Sequence, residues 1–509
     1  MSTVSEIVAE ELKGLGVEHF FLFTGGDHEL WVAFEEHGIQ QVLARSEDAA
    51  VYMADAYARV SHHPGFVYGQ YGPGAGNVAG SLPEPLWAGS PVVAMASAMR
   101  RHHRHRLEYQ ELDQITLFLG VTKWQAEASV PSQIPHVIRA GVIHALEGTP
   151  GPVYVGIPND LTGADYDGDD PARKTHGRTG SLTYPLFRPH PDPKDVEQAL
   201  RILSEADRPL ILAGKGVHAS GAAKQLTQVA RMLRLPVITS LSGKGSIPED
   251  DLLAVGITGR YSHKYANQCL KEADVLLAVG SGLGGLVTDS YRLIGPQCRI
   301  VQVDLSPAAI GHNFDIELGI QADASTFLEA LLECARDAGL QAAAAVSPIM
   351  ESAWHRTIAE RRSAWQKTFE ELAASRVSPM APEAMVRVMQ EELPQDAVLL
   401  ADTGYAAAWA GVLYQVRQPG QSFLRSDGSL GWAFPASLGA ALASPARRVF
   451  TLIGDGGFGY HVGELETAVR LGLPVTVIVM NNGSLAFEHE LMSRGVEIRS
   501  RGGTLPPLR

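Results

Sequence analysis

The chain has 509 residues, a formal net charge of −14 at pH 7 and three cysteines. This length exceeds what one hydrophobic core supports, so we expect about two to four domains. The acidic balance argues against nucleic acid as a partner, and three cysteines without metal-ligand spacing fit a reducing cytoplasm. The first residues contain no basic stretch followed by an apolar one, and no apolar run is long enough for a bilayer. Neither a signal peptide nor a membrane partner is expected.

Strand and helix signals alternate over residues 1–162. Repeated βα units of this kind indicate a parallel sheet that is covered by helices on both faces. The predicted helices span 5–15 and 47–60, and the predicted strands span 17–23, 41–43, 65–69, 91–96 and 152–157.

Two composition shifts divide the rest of the chain. Residues 163–193 are rich in Gly, Pro and charge and predict a linker, and 339–378 predicts a second linker with a helical connection. Strand-like runs separated by helical stretches fill 194–338, and another helix with three strands lies in 379–509. The predicted fold class is therefore α/β, with three consecutive doubly wound parallel-sheet domains at 1–162, 194–338 and 379–509.

The stretch 449–484 has the pattern of a strand, a glycine-rich turn, a helix and a second strand. Gly454-Asp455-Gly456-Gly457 follows the first strand, and Asn481-Asn482 follows the second. The carboxyl ends of parallel strands face the ligand crevice, so these polar residues should meet there. Glycines let backbone N–H groups approach a phosphate, and carboxylate and carboxamide oxygens suit Mg²⁺. The spacing predicts a Mg²⁺–diphosphate site, whereas Gly-Asp-Gly alone would equally indicate a turn.

Positions 454–482 resemble the diphosphate motif of thiamine-diphosphate (ThDP) enzymes. The three α/β blocks also fit that family's order of pyrimidine-binding, middle and diphosphate-binding domains. The resemblance implies ThDP and Mg²⁺ as cofactors, with Asp455 and Asn482 as side-chain metal ligands and Ser484 as a ligand through its backbone carbonyl. It further implies diphosphate binding by Gly454, Gly456 and Gly457.

Glu47 lies at a predicted strand–helix junction of the first block. The stretch from Arg45 to Arg59 resembles the family's glutamate helix, whose carboxylate hydrogen-bonds N1′ of the ThDP aminopyrimidine and so activates the cofactor. The alternative is a helix-start glutamate that the helix dipole stabilises. Many family members have His before this glutamate where this chain has Ser46, a difference that leaves the acid in place.

Other stretches match cofactor-binding positions of the family. Leu430 occupies the position of the bulky apolar residue that supports the bent cofactor, although a plain core leucine is the alternative. The loop with Asp402, Gly404 and Tyr405 resembles the one that cradles the diphosphate and the pyrimidine. The remaining residues that the resemblance assigns to cofactor binding are Gly25, Gly72, Asn77 and Gly428.

Two stretches of the first block resemble acetolactate synthases and their relatives. Residues 70–77 are similar to a Gly-Pro-Gly-Ala-Thr-Asn turn, and 109–123 is similar to a Phe-Gln-Glu…Thr-Lys segment whose Gln and Lys line the substrate channel. The implied catalytic residues are Glu47, Gln110 and Lys123. The implied activity is decarboxylation of a pyruvate-like 2-oxo acid with carboligation to a second carbonyl compound. Two alternatives stay open: a non-carboligating 2-oxo acid decarboxylase or lyase, and a degenerate homologue that acts as a binding or assembly subunit.

Three features depart from that pattern. Gly280–Gly285 stands where FAD-containing acetolactate synthases have an Arg-Phe-Asp-Asp-Arg-like run, so FAD is not expected. The cationic run 100–106 could attract an anionic substrate, although a solvated loop is the plainer interpretation. Only 483–509 follows the second strand, so we expect a C-terminally short third domain with a disordered tail. The resemblance also implies a homodimer or homotetramer whose active site lies at the subunit interface.

Overall fold

The computed structural model describes residues 2–166, 182–340, 352–417 and 422–489. Parts of both predicted linkers, 167–181 and 341–351, lie outside the described residues, as does the predicted tail from residue 490 onward.

The chain forms two compact units. Unit 1 combines Met1–Leu186 with Ser426–Arg509, and unit 2 is the continuous stretch Phe187–Arg425. The block predicted at 379–509 is therefore divided between the units after residue 425. The other predicted domain boundaries stay predictions.

The amino-terminal part of unit 1 is a six-stranded sheet in which all paired strands are parallel. Its strands are β1 (His19–Leu22), β2 (Gln40–Leu43), β3 (Gly65–Gly69), β4 (Val92–Ala98), β5 (Trp124–Glu127) and β6 (Val153–Pro158). The order β2-β1-β3-β4-β6-β5 places β2 and β3 on opposite sides of β1. A crevice forms outside the carboxyl ends of the strands at such a reversal of direction.

Helices cover this sheet, and the sequence pattern predicts only the first and the third of them. The helices are α1 (Val4–Gly14), α2 (His28–Glu36), α3 (Glu47–Ser61), α4 (Pro73–Ser81), α5 (Pro83–Ala88), α6 (Gln114–Phe118), α7 (Ile134–Leu146) and α8 (Asn159–Thr162). The sequence of α4 is rich in glycine and lacks an apolar stripe. The sequence pattern therefore predicts only a turn at its first residues and no helix. A proline at the first position starts both α4 and α5, where its missing N–H costs nothing.

Unit 2 contains a second six-stranded parallel sheet, in the order β12-β11-β10-β7-β8-β9. Its strands are β7 (Pro209–Ala213), β8 (Val237–Thr239), β9 (Ala254–Ile257), β10 (Val275–Val279), β11 (Arg299–Asp304) and β12 (Leu318–Gln321). Its helices are α9 (Pro193–Ser204), α10 (Lys215–Ala219), α11 (Ala223–Leu233), α12 (Lys264–Glu272), α13 (Ala324–Asp337), α14 (Ala353–Ala373), α15 (Pro382–Glu392) and α16 (Tyr405–Leu413). A parallel pair, β13 (Val398–Ala401) and β14 (Ser422–Arg425), completes the unit.

The carboxyl-terminal part of unit 1 carries the strand–turn–helix–strand stretch. Its elements are α17 (Ala433–Ala443), β15 (Val449–Gly454), α18 (Asp455–Tyr460), α19 (Glu464–Arg470) and β16 (Val475–Met480). The predicted single helix is therefore two short helices. Leu465 and Val469 have the predicted helical spacing, but they are 45% and 82% exposed, whereas Ala468 is buried. The predicted α/β class with parallel sheets is confirmed.

Helix α3 lies at the centre of unit 1, between the first sheet and α17. Glycines make the close contact possible on both sides. A Cβ at Gly65 in β3 would lie 2.1 Å from the backbone oxygen of Ala54, and one at Gly439 in α17 would lie 2.0 Å from that of Met53. Backbone atoms of a packed helix cannot move aside as a side chain can, so both positions require glycine.

In the part of the chain that the structure describes, no helix combines the length and the apolar character needed to cross a membrane.

Substitution of Gly439 by alanine should lower the free energy of unfolding by about 2 kcal/mol or more, because the added methyl group separates α17 from α3. The matched control is Gly80→Ala in α4, where no heavy atom lies within 4 Å of the added Cβ. The control should stabilise by roughly 0.5–1 kcal/mol through helix propensity. Urea unfolding followed by circular dichroism compares the two variants, and equal midpoints would show that the α3–α17 contact tolerates a side chain.

Candidate active site

Glu47 lies after β2 at the first position of α3 and is 9% exposed. Ser46 caps the helix, with its hydroxyl accepting a hydrogen bond from the Ala49 N–H at 3.4 Å. The Asn77 amide donates to Glu47 Oε2 at 3.1 Å. A Cβ built on Gly74 would lie 3.1 Å from Glu47 Oε1. The structure thus brings the predicted residues Glu47 and Asn77 into contact, beneath a turn that leaves little space for a side chain.

Two glycine turns border Glu47, at the carboxyl ends of β1 and β3. Gly25 and Gly72 have φ angles of 78° and 75°, which favour glycine. A Cβ at Gly25 would lie 2.1 Å from Gln70 Oε1, and one at Gly72 would lie 2.7 Å from Gln110 Cβ. Gln110 is itself left-handed, with a φ of 62°. Its buried Oε1 receives no hydrogen bond from the residues that the structure describes. A buried acceptor of this kind, on a residue that packs against Gly72, fits a site that receives a polar group from a ligand.

Lys123 is not part of this cluster within one chain. It precedes β5, which lies at the opposite edge of the sheet from β2, and it stands at the amino ends of the strands. Its Nζ donates to the backbone oxygens of Glu147 and Thr149 at 2.7 and 2.6 Å. Burial lowers the pKa of Lys123 to about 8, and Glu147 partly offsets that effect. Its role in a substrate channel stays a prediction.

The predicted metal ligands lie at the ends of two neighbouring strands. The parallel register of β15 and β16 pairs Gly454 with Met480, so Asp455 and Asn482 follow the strands at the same edge. Asn482 Oδ1 accepts the Ser484 N–H at 3.0 Å and keeps a second lone pair. This donor set fits Mg²⁺ that also binds phosphate oxygens. Among the described residues no group of three or more His, Cys, Asp and Glu side chains could hold a metal, so a single carboxylate would need those oxygens.

The glycine turn after β15 leaves space on one side. No heavy atom lies within 4 Å of a Cβ built on Gly454, so a ligand can approach the backbone there. The following glycines are enclosed, because a Cβ on Gly456 would lie 2.7 Å from Leu485 Cδ2, and Gly457 is buried. The turn therefore fits a phosphate group at the start of α18, and the roles of its three glycines stay predictions.

The remaining predicted cofactor residues lie in two loops. In unit 1, Leu430 is half-buried and Gly428 is exposed, in the loop that precedes α17. In unit 2, Asp402 is fully buried directly after β13. Gly404, with a φ of 74°, precedes α16, and the Tyr405 ring at its start stacks on a neighbouring tryptophan. Their contacts with a cofactor stay predictions.

The sequence pattern does not identify the residues that fasten the Glu47 loop to α18 and α19. His461 donates through Nε2 to Asp48 Oδ2 at 3.0 Å, and its Nδ1 lies 2.9 Å from the Gly431 backbone oxygen. The Arg45 N–H donates to Glu464 Oε1 at 2.7 Å. Burial would raise the pKa of Asp48, but hydrogen bonds from His461 and Ser46 lower it to about 2. The only sequence signal is the presence of polar residues at helical spacing, which equally describes a solvated face.

Family models match all three blocks of the chain. The N-terminal TPP binding domain of thiamine pyrophosphate enzymes matches residues 2–117, the central domain 196–331, and the C-terminal TPP binding domain 402–505. The probable acetolactate synthase large subunit of Methanocaldococcus jannaschii is 30% identical over 499 residues, which cover 96% of this chain and 81% of the relative. The chain belongs to the thiamine pyrophosphate enzyme family.

Thiamine pyrophosphate is another name for ThDP, so the predicted family and the predicted enzyme class are confirmed. The probable acetolactate synthase large subunit of Methanococcus aeolicus is 28% identical, over 96% of this chain and 81% of the relative. Acetolactate synthase 1 of Oryza sativa is 30% identical, over 95% of this chain and 73% of the relative. The protein is therefore an acetolactate synthase-like ThDP enzyme.

Substitution of His461 by glutamine should lower the free energy of unfolding by about 1 kcal/mol, a modest value because Asp48 is partly exposed and water screens the pair. Burial would lower the pKa of His461, but Asp48 raises it. The stabilisation by His461 is thus complete below roughly pH 6.5 and is lost as pH rises through the raised value. The stabilisation by Asp48 is complete above roughly pH 4 and is lost as pH falls toward 2.

Urea unfolding of the wild type and the H461Q variant, between roughly pH 4 and 6.5 and again at higher pH, measures the difference in their free energies of unfolding. This difference should be largest between roughly pH 4 and 6.5 and should become smaller at higher pH. His144→Gln removes a more exposed histidine–glutamate pair and is the control, for which we expect a smaller loss of stability. A pH-independent loss in H461Q would contradict the assigned ion pair.

Proposed function

We propose that the protein binds ThDP and Mg²⁺, decarboxylates a pyruvate-like 2-oxo acid and joins the remaining carbons to a second carbonyl compound, as an acetolactate synthase does. The observation that carries this proposal is the buried Glu47, fixed by Asn77 at the carboxyl ends of the first sheet. The convergence of Asp455 and Asn482 at the edge of β15 and β16 supports the metal. The names of the relatives support the substrate class.

Each residue would have a separate task. When bound, ThDP supplies an acceptor for the electron pair that the departing CO₂ leaves behind. Glu47 would hydrogen-bond N1′ of the aminopyrimidine and hold the proton there, and Asn77 keeps its carboxylate in place. Asp455, Asn482 and the Ser484 carbonyl would bind Mg²⁺. The larger set that would surround the cofactor is Gly25, Gly72, Asp402, Gly404, Tyr405, Gly428, Leu430, Gly454, Gly456 and Gly457.

Gln110 would contact the substrate, because it packs against Gly72 and its buried Oε1 receives no hydrogen bond from the described residues. The cationic run 100–106 is less suited than Gln110 to binding the substrate, because two of its arginines are already in ion pairs. Arg101 pairs with Asp160 at 2.8 Å, and Arg104 is ion-paired with Glu127. These charges are already neutralised, which favours the structural interpretation of this loop.

We also propose that the protein is a homodimer or homotetramer in which two subunits share each active site. Its proposed location is a reducing cytoplasm. FAD is not part of it. The loop that replaces the FAD-associated run packs on α10, where the Gly216 N–H donates to the Gly280 oxygen at 3.0 Å. A Cβ on either glycine would clash with the backbone of the other.

Incubation of the protein with ThDP, Mg²⁺ and a panel of 2-oxo acids tests the function. With pyruvate we expect acetolactate. Acetaldehyde as the sole product would favour the simple decarboxylase. A folded protein that binds no ThDP in a calorimetric titration would favour the non-catalytic binding or assembly subunit.

Substitution of Glu47 by glutamine should lower kcat by about two orders of magnitude or more, because an amide cannot hold the N1′ proton. The affinity for ThDP and Mg²⁺, measured by calorimetry, should change far less, since the diphosphate and metal contacts remain. Glu36→Gln, at the end of α2, is the control and should behave as the wild type. Full activity in E47Q would refute the assigned role.

A further inference from the structure

A buried carboxylate of α5 holds the loop that carries Leu430. Glu84 is completely buried. Its Oε1 accepts the Asp427 N–H at 2.5 Å, and its Oε2 accepts the Ser429 N–H at 3.0 Å and lies 3.3 Å from the Ser426 hydroxyl. One side chain therefore binds two backbone N–H groups and one hydroxyl within the four residues that precede Leu430.

The same carboxylate belongs to a buried charge cluster that fixes the other end of the loop. Arg59 lies 3.5 Å from Glu84 and 2.7 Å from Asp55, and 3.8 Å from Asp427. The Trp432 indole donates to Asp55 at 2.8 Å, and the Arg59 guanidinium stacks over that ring. Burial raises the pKa of Glu84, and the positive charge of Arg59 offsets part of the increase. The first part of the loop is thus bound to Glu84 of α5, and its last part is bound to Asp55 of α3.

The hydrogen-bond pattern requires a carboxylate. Both oxygens of Glu84 accept backbone N–H groups, and an amide side chain would present an N–H₂ group to one of them. Hydrogen bonds to an ionised acceptor are shorter and stronger than neutral ones. A buried N–H group that loses its acceptor is costly, so the loop would shift to find water or another partner.

We propose that Glu84 is a positioning residue for the reaction: it sets the height and orientation of Leu430 beneath the cofactor through the backbone of residues 426–429. This inference rests on the proposed function, because it takes Leu430 as the support of bound ThDP. Glu84 itself contacts neither the metal ligands nor Glu47 in the hydrogen bonds described above. It would act on catalysis only through the loop.

The test compares Glu84→Gln with Glu383→Gln. Both glutamates follow a proline at the start of a helix, so the control reproduces the loss of a charge in the first turn, but at α15 in unit 2. For E84Q we expect an increase in the Kd for ThDP of about tenfold. We also expect kcat at saturating ThDP to fall by about tenfold or more, because a displaced support misaligns the reacting atoms. E383Q should retain wild-type values.

A double-mutant cycle with Leu430→Ala separates positioning from general stabilisation. If Glu84 acts through Leu430, E84Q should have little further effect on kcat in the L430A background. Additive losses, or a kcat of E84Q that equals the wild type at saturating ThDP, would overturn the inference. If E84Q does not fold, Ser426→Ala removes one hydroxyl of the same network and should show the same non-additivity, with a smaller loss.

The two proposals fail in different ways. A wild-type protein that binds no ThDP would refute the proposed function. A wild-type protein that binds and turns over, with additive losses in the cycle, would refute only the role of Glu84.

Discussion

The packing of α3 between the first sheet and α17 is the constraint on which unit 1 depends. The helix is buried along most of its length, and glycines at 65 and 439 admit its backbone. Its first residue is Glu47, and its later turns carry Asp55 and Arg59, which hold the loop before α17. A shift of this helix would therefore move the Glu47 carboxylate and the Leu430 loop at the same time. One tightly packed helix thus fixes the positions of two segments that carry candidate site residues.

The buried charges near the carboxyl end of this helix are paired, although not one to one. Arg59 faces Asp55, Glu84 and Asp427, so the cluster has more carboxylates than cations. Backbone N–H groups and the Trp432 indole supply the remaining stabilisation. Such a cluster contributes to specificity of structure more than to net stability, because desolvation offsets much of the Coulomb energy. Its value to the protein is the defined geometry of the loop.

The sequence was informative where chemistry demands particular residues at fixed spacing. Glu47, Asp455 and Asn482 could be predicted as site residues because each follows a strand and because their types suit a cofactor site. The short helices α4 and α5 could not be predicted, since their glycine- and proline-rich sequence has no apolar period. Long-range partners were also inaccessible. The sequence around Glu84 does not indicate that its carboxylate accepts hydrogen bonds from the backbone N–H groups of residues 427 and 429. Likewise, the sequence around His461 does not indicate that it pairs with Asp48.

The discontinuity of unit 1 has a consequence for the order in which the protein can fold during synthesis. Unit 2 is continuous, so all its strands have been made before the ribosome reaches residue 426. Helix α3, by contrast, lacks its packing partner α17 until all of unit 2 has been synthesised. Its apolar surface stays uncovered for that period, which is the situation in which domains are prone to aggregate or to need a chaperone. Unit 1 can therefore be completed only after the synthesis of unit 2.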